Sequence, residues 1–264
     1  MDEIPTLISI CEATRAFAAR TVRAVLPTCL GKTEHETSMV LLEALRQNSE
    51  VAQEGWYSPP PNGITVLAAC PPYSRLNYRS LREPENWPSN NILTEDSVIT
   101  CYVSPVHRNS LMIGDFGGTF YFGNNALLHR HIARCELLVQ ELIPTFHQGM
   151  TFDQIYRNSH EAFRKHEMTN QPSKSKTDPA GTNLGHTVPF AFPSESLRTE
   201  ASEENSKIIS NSRQFLSEGS PIRLPNQGCF IFEAQLRDNN DPTLPTILVH
   251  RIVKMDCGKP VMLN

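Results

Sequence analysis

The 264-residue chain is expected to fold as a single α+β domain made of two related halves, about 1–124 and 125–264. Three observations predict this. A helix closing on Pro-Thr, a Gly-x-Thr turn and a newly capped helix occur twice, at Leu26-Pro27-Thr28 with Gly31-Lys32-Thr33 and at Ile143-Pro144-Thr145 with Gly149-Met150-Thr151. Runs of β-branched and aromatic residues follow each helix pair. A hydrophobic content of 39% over this length is enough to bury a substantial core.

Taken in order, Leu7, Ile10, Cys11, Phe17, Ala18, Val22 and Val25 form an i, i+3, i+4 stripe, interrupted by Thr14, and predict an amphipathic first helix. Pro27 ends it, and Thr33 with Glu36 forms a capping box that opens a second helix through Met39, Leu42 and Leu45. Ile64 to Ala69 and Val98 to Val103 read as buried strands, and Thr119 to Phe122 as a short aromatic strand. A third helix runs from about Ala126 to Ile143. Thr151 with Gln154 caps a fourth, whose stripe is Phe152, Ile155, Tyr156, Ser159 and Phe163. Strands are expected near Leu184 to Val188, Cys229 to Leu236 and Thr246 to Val253. The polar stretches 168–182 and 193–221 are expected to be surface loops flanking His186.

Composition excludes several functions. A net charge of −4 without a basic block argues against nucleic acid as a partner. No stretch resembles a membrane span, and Met1-Asp2-Glu3 lacks a basic, apolar leader, so a soluble, cytoplasmic protein is expected. Seven widely spaced cysteines with no Cys-x-x-Cys pair suit reduced, mostly buried thiols.

Three stretches place one ionisable side chain against apolar sequence, where an unpaired charge is costly: Gly114-Asp115-Phe116-Gly117-Gly118-Thr119-Phe120, Asn183-Leu184-Gly185-His186-Thr187 and Gly228-Cys229-Phe230-Ile231-Phe232-Glu233. With the doubled helix grammar, these stretches resemble the pita-bread family of methionine aminopeptidases, prolidases, aminopeptidase P and creatinase. The resemblance covers nearly the whole chain. It implies a curved antiparallel sheet covered by helices from two pseudo-symmetric halves, and a homodimer is compatible with it. Asp115 matches the aspartate of the family's Asp-x-Thr-Arg-Thr-Phe run, with Gly117 and Gly118 in place of Thr and Arg. His186 matches the histidine of its Gly-His-Gly turn, and Glu233 the glutamate after its Gly-Met turn.

Two further carboxylates of the family's dinuclear metal site are missing. The first aspartate falls on or next to Cys101, beside Tyr102, and the last glutamate is matched by Val253 after Arg251-Ile252. Asn77 stands where the family contacts substrate with a histidine. Losing two carboxylates removes most of the charge that offsets two dications. The resemblance therefore implies a non-peptidase, metal-independent enzyme acting on a small molecule by acid–base chemistry. His186 and Glu233 would transfer protons, Asp115 would orient or stabilise charge, and Tyr102 would donate a proton. Asn77, Tyr78, Arg79 and Cys101 are the candidate substrate contacts, the arginine because a guanidinium fork suits carboxylate or phosphate. Arg75 and Arg82 share that chemistry. No cofactor is expected. The alternatives are a catalytically silent binding module, and a mononuclear aminopeptidase- or proline dipeptidase-like hydrolase with one divalent transition metal on Asp115, His186 and Glu233.

Overall fold

A computed structural model describes residues 3–52, 60–81, 83–171, 181, 183–188 and 213–263. Its helices are α1 (Glu3–Val25), α2 (Glu34–Arg46), α3 (Ala126–Leu142) and α4 (Phe152–Lys165). Its strands are β1 (Val51–Ala52), β2 (Ile64–Ala69), β3 (Val98–Val103), β4 (Val106–His107), β5 (Phe116–Tyr121), β6 (Met168–Asn170), β7 (Thr187–Val188), β8 (Gly228–Asp238), β9 (Ile247–Asp256) and β10 (Lys259–Leu263).

The helix grammar is realised twice. Short 3₁₀ turns at Leu26–Cys29 and Ile143–Thr145 close α1 and α3, because proline cannot continue the helical ladder. Thr33 and Thr151 then accept hydrogen bonds from the backbone of Glu36 and Gln154, whose side chains reach back to the two threonine backbones. The buried face of α2 is Glu34, Thr37, Ser38, Leu41, Leu42 and Leu45, whereas Met39 faces outward at 41% exposure.

One large antiparallel sheet runs in the order β2-β3-β5-β9-β8-β6, with β10 added on β9 and β7 on β8. Alternation along each strand separates two faces. The helix-covered face carries Val66, Ile99, Cys101, Val103 and Phe116 against α1 and α2, and Phe230, Phe232, Val249 and Val253 against α3 and α4. The other face carries Tyr102, Gly117, Thr119, Glu233 and His250, as the pairings Tyr102↔Gly117 and Glu233↔His250 require. The first turns of α1 pack onto this second face through Ile8 and Cys11, against Ile231, Ile252 and the segment Leu111–Ile113.

Two loop expectations are corrected. Met168–Asn170 is a strand on β8, since Met168 and Asn170 are buried and the ladder satisfies their backbone. Residues 213–221 are not simply a surface loop: Leu216 is buried in the core, and the 214–216 backbone bonds to Leu184, Gly185 and Thr187. The remaining parts, 172–180, 182 and 193–212, lie outside the described residues. All seven cysteines are free, and five of them are buried. No described helix is long and apolar enough to cross a membrane.

Candidate active site

Asp115 enters the second face at the start of β5 and is fully buried. The Tyr102 hydroxyl donates to its Oδ2 at 2.6 Å and the Ser104 hydroxyl donates to Oδ1, so both carboxylate oxygens are engaged. Burial pushes the Asp115 carboxyl up to about 6, against the pull of those two donors and of Arg15. Tyr102 and Ser104 are both reached because residues two apart on a strand share a face. Cys101, expected to be a substrate contact, comes one residue before Tyr102 and so points the other way. It is fully buried in the helix-side core with Ile99 and Val103, and burial holds its thiol protonated, near 12.

His186 is delivered by Gly185. A side chain at Gly185 would run into the carbonyl of Ile231, and its φ of +128° suits glycine alone. This close approach lets Ile231 N–H donate to His186 O at 2.7 Å and Glu233 N–H to Leu184 O at 2.9 Å, tying His186 and Glu233 to one ladder. His186 Nδ1 lies 2.8 Å from the Thr187 carbonyl, which accepts only, so the proton sits on Nδ1. Burial lowers the ring to about 4, keeping it neutral.

Glu233 is raised to about 7, first by burial and then by the Asp115 charge, with Arg213 pulling it down. A cavity of about 10 Å³ beside it is lined by Asn170, Gln171, Asn183, Gln235 and Leu248, room for roughly one water. Tyr78 is buried, and burial first and Glu233 second raise its phenol, which places it in the field of this carboxyl. Asn77 and Arg79 flank Tyr78 in the chain. They are exposed and face an open groove of about 480 Å³ with Ser74, Glu83 and Glu85, where the Thr246 hydroxyl donates to Asn77 Oδ1. Arg75 does clamp a carboxylate, but it is the protein's own: Nε and Nη2 donate to Glu34 at 2.9 and 2.6 Å. Arg82 lies outside the described residues.

Four participants were not singled out from the sequence. Ser104 has no motif around it. Arg15 sits on α1 a hundred residues from Asp115, yet it is 1% exposed, donates to the Asp115 carbonyl and to the His250 carbonyl at 3.0 Å, and lies 3.1 Å from His250 Nδ1. Its guanidinium also lies 4.7 Å from the Phe116 ring centre. His250 stands opposite Glu233 in the β8–β9 ladder, and Val253 belongs to the helix-side core. Arg213 lies in the field of Glu233. A signal for Arg15 and His250 did exist in principle: each is a polar side chain in an otherwise apolar stripe.

Among the described residues no three His, Cys, Asp or Glu side chains converge at metal-ligand spacing. The expected set of Asp115, His186 and Glu233 is therefore not brought together as ligands. Both oxygens of Asp115 are engaged by Tyr102 and Ser104, and Arg15 and Arg213 supply positive charge near the two carboxyls.

This sheet, with paired helices behind it and a polar cluster on its inner face, is the pita-bread fold. No family model and no curated protein sequence matches the chain. Solved peptidase structures share the fold: prolidase from Pyrococcus furiosus at 16% identity and TM-score 0.63, covering 97% of this chain and 63% of that one. The X-Pro aminopeptidase from Thermotoga maritima follows at 14% and 0.64, over 100% and 61%. Methionine aminopeptidase from Thermotoga maritima gives 13% and 0.61, over 96% and 94%. The chain thus spans less than two thirds of the prolidase and X-Pro aminopeptidase chains. Identities this low carry the fold and nothing finer.

Proposed function

We propose that this protein is a metal-independent, non-peptidase enzyme that acts on a small molecule by acid–base chemistry at the inner face of the sheet. Glu233 is the proton-transfer group, because a carboxyl near 7 is populated in both forms at neutral pH. His186, held neutral with its proton on Nδ1, presents Nε2 as an acceptor. Asp115 anchors Tyr102, whose phenol burial keeps protonated. The observation that carries this reading is the pairing of two carboxyls raised toward neutrality, the buried Asp115 and the half-buried Glu233, with two arginines rather than with further carboxylates. Perturbed groups gathered in one place are a mark of functional sites.

Arg15 takes over the charge compensation that a cation supplies in a carboxylate-rich pocket. A peptidase activity like that named for the similar structures is disfavoured on the donor set described above.

The test is incubation of the full chain with pools of small metabolites in heavy water and chelator, followed by mass spectrometry for new products or incorporated deuterium. At least one compound altered by the wild type and untouched by Glu233→Gln is the expected result. No altered compound, a fully active Glu233→Gln, or turnover confined to dipeptides with added manganese each sinks the reading. A second reading, a silent binding module, has its own observation in its favour: both oxygens of Asp115 are already bonded within the protein. Saturable binding of a compound that is returned unchanged is its signature.

A further inference from the structure

We infer that the Nε2–H group of His250 is a ligand-binding donor of this site, built for an acceptor oxygen such as the carbonyl or carboxylate of a small molecule. Arg15 sets the tautomer of this ring. A guanidinium has donors and no acceptor, so at 3.1 Å from Nδ1 it forces that nitrogen to accept and leaves the ring's single proton on Nε2. Arg15 is itself fixed by the Asp115 and His250 carbonyls and by the Phe116 face, so the tautomer is locked by a buried framework.

The imidazole is fully buried, edge-on to Tyr102 with ring centres 5.4 Å apart, and opposite Glu233 in the ladder. Its Nε2 has no hydrogen-bond partner among the described residues. An unmade buried donor is costly, and a ring kept only for packing is served as well by an apolar one. The neighbourhood also makes room for it. A side chain at Gly117 would meet Tyr102 at 2.8 Å and His250 at 3.4 Å, so the glycine standing where the resembling family has threonine is needed for this pair of rings. A neutral donor that burial, and after it Arg15, keeps from becoming imidazolium polarises an acceptor without delivering a full charge.

The inference deepens the proposed function by naming the ligand chemistry of the same site, but it fails or stands separately. The experiment is long-range proton–nitrogen NMR on the full chain carrying ¹⁵N histidine, with acetate and acetamide as probes. One histidine, absent from the His250→Gln spectrum, should carry its proton on Nε2, and that proton should move downfield saturably with at least one probe. His250→Gln, whose amide places a donor near the same point, should hold the probe within about tenfold of wild type, whereas His250→Leu should lose it. A proton on Nδ1, or a resonance that ignores both probes, overturns the inference, and neither readout depends on the leucine variant folding. A protein that turns nothing over but passes these tests loses the enzyme reading and keeps the donor. An active enzyme whose His250→Leu variant retains wild-type kcat and KM loses the donor and keeps the enzyme.

Discussion

The Tyr102 hydroxyl lies 2.6 Å from Oδ2 of Asp115, and the ring that carries it occupies the space a side chain at Gly117 would need. Gly117→Ala should therefore destabilise the protein by about 1–3 kcal/mol through overpacking. Denaturant unfolding measures this. Adding Tyr102→Ala should relieve the clash, so the double variant should be more stable than the sum of the two single changes. Strict additivity would show that the two positions do not compete for space.

Glu233 has its carboxyl raised from 4.5 to about 7, which fixes the sign of a pH effect. A group that binds its proton more tightly when folded contributes stability that is fully present below 4.5 and is lost as pH rises through about 7. Glu233→Gln cannot lose a proton, so its stability relative to wild type should grow between pH 4.5 and 8, by about 3 kcal/mol. His186, lowered from 6.5 to about 4, works in the opposite direction: its contribution is present above 6.5 and lost as pH falls through 4. The difference between variant and wild type isolates Glu233 from that opposing trend. A difference that is flat with pH, measured by urea unfolding, would contradict the assignment.

Arg75 and Arg79 separate a structural arginine from one free to serve the groove. The buried Glu34 carboxylate accepts from Arg75, from the backbone N–H of Ala68 and Ser89, and from the Ser89 hydroxyl. Arg75→Met leaves that carboxylate buried without its cation and should cost about 3 kcal/mol. Arg79→Met, at an exposed position, should change stability by less than about 0.5 kcal/mol. Thermal melts of the two variants side by side decide this, and equal losses would remove the distinction.

The two capping boxes should behave as equivalents. Thr33 and Thr151 each cap a helix, and each also makes a single antiparallel bridge, to Ile92 and Arg223 respectively. Thr33→Ala and Thr151→Ala should each cost about 1 kcal/mol. Calorimetry should find the losses similar and, at well-separated sites, additive in the double variant.

The helices were legible because their signals are local. Proline, a capping threonine and an apolar stripe act within one or two turns of themselves, and the four helices follow them closely. Part of the candidate site was legible for a related reason: Asp115, His186 and Glu233 stand in short apolar stretches where an ionisable residue is conspicuous. Cys101 was misassigned because strand alignment by resemblance leaves a one-residue ambiguity, and one residue reverses the face. Ser104 has no motif around it, and His250 is set opposite Glu233 by the β8–β9 register, which no local pattern gives.

The amino-acid sequence by itself determined the α+β class, the doubled helix pair, the reduced cysteines and three polar positions on the sheet, since each depends on neighbours in the chain. Only the tertiary structure decided what those positions face. Arg15 reaches Asp115 across 100 residues and His250 across 235, and no local pattern encodes a contact made by packing α1 against the far strands. Burial, which sets the protonation of Asp115, Glu233 and His186, likewise arises when the sheet, the helices and the Leu184–Thr187 segment close around them, because desolvation is a property of the assembled surroundings and not of the residue.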